Sequence, residues 1–407
     1  MSLESTCRFC KSKKLVQILD LGEQAPANFN LHKKNVLAPL KILLCKKCFL
    51  VQTQDCVSEK ELFGKHYPYY SSYSNYWLEH AKKLSDECIK KFKLNTSSLI
   101  IEIASNDGYL LKNFVEKKIS VLGIEPSEGP AKVSKKKGIK VLNEFFNQNL
   151  ALKINKNVKA DLVFAINVLA HVPDVLDFLK GISLILKKNG IAIIEFQYLV
   201  DLIRKKQFDT MYHEHFSYFS VFSLVKLLKN TDLVIYNIEK LKTHGGSLRV
   251  FLKKKNKDSK SLPIVQKYLR KEVELDVNKI KFYRNFQNEV ENIILELNEF
   301  IKKAKARKLI VAGYGAAAKS TVIINSAKLT NSDIEFVVDK NPNKQNTLVP
   351  GTNIQIVDEK YLRKIKPNLI IIFPWNIKNE IIKQLDYVKQ WKANFVVCIP
   401  KVKILKN

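Results

Sequence analysis

Two groups of side chains in this sequence have the types and spacing to do chemistry. The first is Tyr212-His213-Glu214-His215, inside the run YHEHFSYFS. A phenol, a carboxylate and two imidazoles in four residues are costly to bury unless they are used or fully hydrogen-bonded. Imidazole titrates near neutrality and a nearby carboxylate can tune or orient it, so general acid–base work is the leading reading. On an extended backbone His213 and His215 would share one face, Tyr212 and Glu214 the other. A two-histidine metal site and satisfied structural polarity are the alternatives. The second group is Cys7, Cys10, Cys45 and Cys48, paired as CRFC and CKKC. Each pair offers two thiolates from one tight knuckle, and two knuckles complete a tetrahedral four-sulfur site for Zn2+. No ligand position is left open, so such a zinc is structural. Cys56, Cys88 and Cys398 have no partners at ligand spacing.

The elements that must hold these groups can be read from the apolar pattern. Short strands at Val16 to Gly22 and Leu40 to Cys45 surround the cysteines, with a break at Ala25 to Asn28. An aromatic hinge follows, His66 to Ser74, and then a helix from about Asn75. From Ser98 the chain alternates strand and helix: SLIIEIA, SVLGIEP, KVLN, DLVFAINVL and GIAIIEFQ, with LRVFLK closing the sheet late. Continuous apolar strands separated by helices indicate buried parallel strands. A long helical connector spans about Ser261 to Lys305. A second alternating unit begins at KLIVAGYGAAAKS. The fold class expected is α/β: a central Rossmann-like sheet, a zinc-binding N-terminal domain and a second Rossmann-like domain, over 1–74, 75–256 and 257–407.

In doubly wound sheets ligands sit beyond the carboxyl ends of the strands, where strand order reverses. In the middle domain strand one delivers Glu102, Ala104, Asn106, Asp107 and Gly108 there. Strand two delivers Glu125, placed to accept the hydroxyls of an adenosine ribose. Phe145-Phe146 follow strand three and could sandwich an adenine. Strand four supplies Asn167 and His171. One glycine where a dinucleotide fingerprint has three, beside Asp107, would repel a pyrophosphate but accept a zwitterionic amino acid. That favours S-adenosylmethionine over NAD. In the last domain Gly313-Tyr314-Gly315 turns from strand to helix and Asp339 closes the next strand, an arrangement that offers backbone N–H groups to a phosphate. Lys319 and Lys344 could add charge.

Composition narrows the classes. The 407 residues carry 69 Lys and Arg against 39 Asp and Glu, a net +30. Only seven of the basic residues are Arg, the residue that carries most bidentate phosphate and base recognition. The lysines are spread along the whole chain, as on solvated faces, so no nucleic-acid partner is expected. A zinc-ribbon nucleic-acid methyltransferase is the competing reading, and the Asn-Pro-Pro-Tyr type of motif it would need is missing after strand four. No apolar run approaches the ~18–20 residues of a membrane span. The opening MSLESTCRFCKSKK has no apolar signal core, and a cytoplasmic monomer is expected.

The chain resembles the S-adenosylmethionine-dependent sugar C-methyltransferases that act on nucleotide-linked keto sugars in deoxysugar biosynthesis. The likeness rests on the two CxxC knuckles, the hinge ending SSYS, EIASNDGYLL, GIEPS, FAINVLAHV, YHEHFSYFS, HGGSLRV (from His244) and GYGAAAK. After GYGAAAK the sequence departs, reading Ser320-Thr321-Val322 where the family pattern has Gly-Asn-Thr. The resemblance implies that His215 is the general base and that Glu214 orients it or binds the sugar. It further implies that Tyr212, His171, Asn167 and a hinge residue, Tyr67 with Tyr69 and Tyr70 beside it, line the sugar pocket. His244 joins the substrate-binding set, and the Gly313 turn with Lys319, Asp339 and Lys344 becomes the site of a nucleotide-diphosphate keto sugar. O-methylation of the same substrate is the variant reading, because an enolate can be attacked at carbon or oxygen.

Overall fold

The computed structural model describes residues 6–27, 36–54, 58–63, 69–256 and 261–405. Three sheets organise them. The first is antiparallel, with β1 (Leu15–Gln24), β2 (Ala38–Cys45) and β3 (Val51–Thr53). The second takes the parallel strands β4 (Leu99–Ile103), β5 (Ser120–Ile124), β6 (Val141–Leu142), β7 (Ala160–Ile166) and β8 (Leu186–Gln197). Next in the chain, β9 (Ser217–Tyr218) belongs to the first sheet, pairing antiparallel with β3. Then β10 (Leu233–Leu241) and β11 (Ser247–Lys254) complete the second sheet in the order β10-β11-β8-β7-β4-β5-β6. So the late strand LRVFLK is not the edge. It lies between β8 and β10, antiparallel to both.

The third sheet holds β12 (Val311–Tyr314), β13 (Phe336–Val338), β14 (Gln355–Val357), β15 (Leu369–Ile372), β16 (Asn394–Val397) and β17 (Lys403–Leu405), in the order β14-β13-β12-β15-β16-β17. Its strands are parallel except β17. Strand order reverses between β4 and β7 in the second sheet and between β12 and β15 in the third. Each reversal opens a crevice at the strands' carboxyl ends.

The helical connector is two helices, Pro263–Glu274 and Phe286–Ala306. Proline at the first turn starts one, and Leu275 to Asn285 breaks before the next. Along the second, Phe286, Val290, Ile293, Leu297, Ile301 and Ala304 recur at three- and four-residue steps and are buried. This stripe joins Ile18, Leu40 and Ile42 of the first sheet, Phe208 and Met211 ahead of His215, and Val322 and Ile323 of the last domain in one apolar cluster. Each such fully buried side chain contributes about 1.5–3 kcal/mol, so the segment around residue 208 is fixed from both ends of the chain. A second fixture is Glu272. Its buried carboxylate accepts from Tyr198 Oη at 2.8 Å and from the N–H groups of Val221 and Phe222 at 2.8 and 2.7 Å, anchoring the helix Val221–Leu228 that follows the polar run.

Candidate active site

The polar run is not extended. Phe208–Thr210 forms a single 3-10 turn, and the His215 N–H then donates to the Tyr212 carbonyl at 2.9 Å. The turn brings Tyr212 and His215 to the same side, with ring centroids 4.0 Å apart, contrary to the alternating faces expected of a strand. His215 Nδ1 lies 2.8 Å from the Thr210 carbonyl, which can only accept, so Nδ1 carries the proton. Nε2 is then an acceptor, and the Tyr212 hydroxyl donates to it at 2.8 Å. The imidazole is thus oriented by Thr210 rather than by the Glu214 side chain. The Glu214 carbonyl accepts from His171 Nδ1 at 2.7 Å, and the His171 ring meets His215 edge-on at 4.7 Å. His213 turns away, its Nε2 donating to the Ala38 carbonyl at 3.2 Å, which removes the two-histidine metal site.

The first sheet clamps this turn. Thr53 Oγ1 donates to the His215 carbonyl at 2.6 Å, the Thr53 N–H donates to the Phe216 carbonyl, and β3 pairs with β9 two residues on. Behind β3 the four cysteines converge, all sulfurs lying within 4.8 Å of one another, with Cys7–Cys48 at 3.4 Å and Cys10–Cys45 at 3.5 Å. Zn–S bonds of about 2.3 Å in a tetrahedron put sulfurs ~3.8 Å apart, so the cage fits zinc, whereas a disulfide needs about 2.05 Å. Among the described residues this is the one group of three or more metal-ligating side chains.

A cavity of about 660 Å³ joins the crevices of the second and third sheets. Ala104, Asn106, Glu125, Phe145, Asn167, His171, Tyr212, His215 and His244 line it, with Tyr69 and Tyr70 of the hinge and Lys319, Asp339 and Lys344 of the last domain. Tyr67 lies outside the described residues. The hinge is stitched to the first loop of the second sheet: Ser71 N–H donates to Asn106 Oδ1 at 2.8 Å and Ser72 N–H to Asp107 Oδ2 at 3.3 Å. Asp107 therefore faces the hinge and Lys137 instead of the cavity. Glu102, Gly108, Glu214, Gly313, Tyr314 and Gly315 also lie behind the lining. The Gly313 turn cannot offer the phosphate-binding amides expected of it, because Gly315 N–H donates to the Val338 carbonyl and Ala316 N–H to Asp339 Oδ2. Ala317 and Ala318, where the helix Ala318–Ser326 begins, reach the cavity in its place.

Several lining residues carry weak or no signals in the sequence. Tyr109, directly after Asp107-Gly108, stands over Glu102, whose pKa burial raises well above the ordinary value. Trp77 packs edge-on against His244 at 5.4 Å. His244 has φ +52°, and its Nε2 accepts from Asn167 Nδ2 at 3.2 Å. The two glycines after it are required: a Cβ at Gly245 would lie 2.2 Å from the Trp375 ring, and one at Gly246 2.3 Å from the Asp201 carboxylate. Asn376, in the 3-10 turn Trp375–Ile377 of the last domain, lines the cavity and accepts from Lys319 Nζ at 3.1 Å, a placement that sequence periodicity does not announce.

Electrostatics follow from burial. Desolvation pushes His171 and His244 down to about 4, and His215 well below its ordinary value, with the repulsion that would arise if His171 were protonated too adding to the effect. All three imidazoles are neutral at pH 7. Enolate chemistry leads one to expect a base with a pKa near 7, and this pocket lowers that of His215 further through burial. Glu125 is raised by burial, against the N–H groups of Ser127 and Asn106 that its two oxygens accept at 2.8 and 2.9 Å.

Three family models match in succession: a zinc binding domain over 7–63, a methyltransferase domain over 76–238 and a C-methyltransferase C-terminal domain over 242–400. The chain is also similar to the C-methyltransferase NovU of Streptomyces niveus, 29% identical over 405 residues, 98% of this chain and 96% of that one. Together the three matches run in order from a zinc-binding domain through a methyltransferase domain to a C-methyltransferase C-terminal domain, spanning most of residues 7–400. The chain is a methyltransferase by its middle domain, and its four cysteines form a cage that fits zinc. Matches to solved structures cover part of the chain. Magnesium protoporphyrin IX methyltransferase of Synechocystis PCC 6803 aligns at 12% identity and TM-score 0.34 over 44% of this chain and 79% of that one. An S-adenosylmethionine-dependent methyltransferase of Clostridium acetobutylicum aligns at 14% and 0.36 over 44% and 92%. The C-terminal family match begins ahead of β11, a strand that pairs within the second sheet. The crevice fits S-adenosylmethionine: Glu125 can accept ribose hydroxyls, Phe145 offers an apolar ring face, and among the described lining residues of this domain there is no lysine or arginine. No helix among the described residues is long and apolar enough to cross a membrane.

Proposed function

We propose that this C-methyltransferase acts on a nucleotide-linked keto-deoxysugar, with His215 as the base that forms an enolate and the enolate carbon as the atom methylated. The observation that carries the reading is the shared cavity, in which the Tyr212–His215 pair and Glu125 face one space with Asp339 and the two lysines of the last domain. A proton beside a ketone is acidic only because its anion delocalises onto oxygen. Removing it needs a base on the carbon and donors on the oxygen. Among the described residues the neutral Nε2 lone pair is held by the Tyr212 hydroxyl, so a ketone oxygen that takes that hydroxyl's hydrogen frees Nε2 for the adjacent carbon. S-adenosylmethionine, when bound, supplies an electrophilic methyl group. Asn167, His171, His244 and Tyr70 line the space for the sugar, and Ala104, Asn106, Glu125 and Phe145 the space for the adenosine. Lys344, whose Nζ donates to the Ala316 carbonyl at 2.8 Å and which feels the charges of Asp339 and Glu214, sits beside the place for the diphosphate. Glu214 in this reading positions Lys344.

Incubation with S-adenosylmethionine and a panel of nucleotide-linked keto sugars, with mass spectrometry and the new methyl located by NMR, tests the reading. A methyl on the carbon next to the ketone is expected. A methyl on oxygen, or transfer to no member of the panel, overturns it.

A further inference from the structure

We infer that Lys319, a residue of the last domain, is a catalytic residue of the methylation reaction, its ammonium pairing with the oxygen of the enolate. The inference rests on the keto-sugar reading above. Lys319 is buried, yet it lines the cavity with His215. Its Nζ donates to Asn376 Oδ1 at 3.1 Å, lies 4.3 Å over the Trp375 ring and stands 4.0 Å from Asp209 Oδ2. Trp375 Nε1 donates to that same oxygen at 2.7 Å. Asp209 and Thr210 are neighbours in one 3-10 turn: the first faces the ammonium and the second holds the imidazole. A single turn thus sets the spacing between the cation and the base, although the two come from different domains.

The ammonium is undercompensated. A carboxylate 4.0 Å away is at the outer edge of an ion pair, and Asn376 and the Trp375 face supply only dipole and quadrupole. Its charge reaches both His215 and His244, opposing their protonation. A group so placed gains most when a negative charge appears between it and the base. That occurs when the C–H bond breaks: the proton passes to His215 Nε2, and the electron pair delocalises onto the ketone oxygen beside the Lys319 ammonium. The carbon then bonds to the methyl as the S–CH3 bond breaks, and the oxygen returns to a neutral ketone. A diphosphate grip, by contrast, would hold its charge equally before and during the reaction and would show in KM alone.

The test is deuterium washout from the carbon beside the ketone, without methyl donor, at saturating sugar nucleotide, in wild type, Lys319→Met and Lys319→Ala. Removing one donor of this kind costs about 10²–10³-fold. A loss of that size in exchange, with S-adenosylmethionine affinity by calorimetry unchanged, is expected, as is partial recovery of Lys319→Ala by ethylammonium. Wild-type exchange with Lys319→Met exchanging as fast, its KM alone raised, makes Lys319 a phosphate grip and overturns the inference while leaving the keto-sugar reading intact. A donor-binding Lys319→Ala that ethylammonium does not revive also overturns it. Absence of exchange and transfer in wild type overturns the keto-sugar reading itself.

Discussion

The second and third sheets meet at one cavity and close their crevices with the same device. In the second, Glu125 at the end of β5 accepts from the Asn106 N–H of the first loop and from the Ser127 N–H two residues on. In the third, Asp339 after β13 accepts from the Ala316 N–H of the first loop and from the Asn341 N–H two residues on. Both carboxylates line the cavity. The difference lies in the charges set around them. The second sheet gathers Glu102, Glu125 and Glu195, the last held below the ordinary carboxylate range by His80 and Arg249 despite its burial. The third sheet brings Lys319 and Lys344. On the lining itself the second sheet's domain sets Glu125 with no lysine or arginine among the described lining residues, whereas the third sets Asp339 beside Lys319 and Lys344. In the proposed reading the two ligands would be sorted by side chains on a common backbone frame, with His215 held between them by the sheet that carries the cysteine cage.

The comparison breaks most visibly at the base that serves both crevices. His215→Ala is expected to lower kcat by about 10³–10⁴-fold while calorimetry still finds both ligands bound, since the ring is part of neither frame. Loss of the zinc cage should rank next. Cys48→Ser is expected to lower the melting temperature and to cut turnover at least tenfold, because β3 carries Thr53 and β9. Activity kept after the metal is lost, with a lowered melting temperature, would separate the cage from the site. The two frames can then be set against each other. Glu125→Ala is expected to weaken S-adenosylmethionine by about 10–100-fold and leave the sugar nucleotide alone, with Asp339→Ala doing the reverse, as expected for hydrogen bonds to a charged group worth about 1.5–3 kcal/mol. The smallest effect is in pH. Burial lowers the pKa of His215, so its working, neutral form persists as pH falls through 6.5, and kcat/KM should show no acid limb between pH 8 and 6. A limb centred near 6.5 would mean that the ring is solvated in the working enzyme.

Local signals made much of this legible. The cysteine knuckles are a spacing rule, and the strand ends that deliver Ala104, Glu125, Asn167 and Asp339 follow from apolar runs and the crevice rule. What escaped depends on contacts distant in sequence. Thr210 acts through a carbonyl, which no residue type announces. The turn that joins Tyr212 to His215 is held by β3, some 160 residues earlier in the chain. The glycine turn at Gly313 has the right composition for a phosphate, but its amides are consumed by Val338 and Asp339. Asp209, Trp375 and Lys319 come together only because the apolar cluster along Phe286–Ala306 docks the last domain onto the polar run.

The most direct measurement is a crystal structure with S-adenosylhomocysteine and a keto-sugar nucleotide bound together. The account predicts the adenosine ribose on Glu125, the nucleotide against the third sheet, and His215 Nε2 about 3–3.5 Å from the carbon that loses its proton. Ligands in exchanged crevices, or an imidazole with a sugar hydroxyl and no carbon within reach, would contradict it.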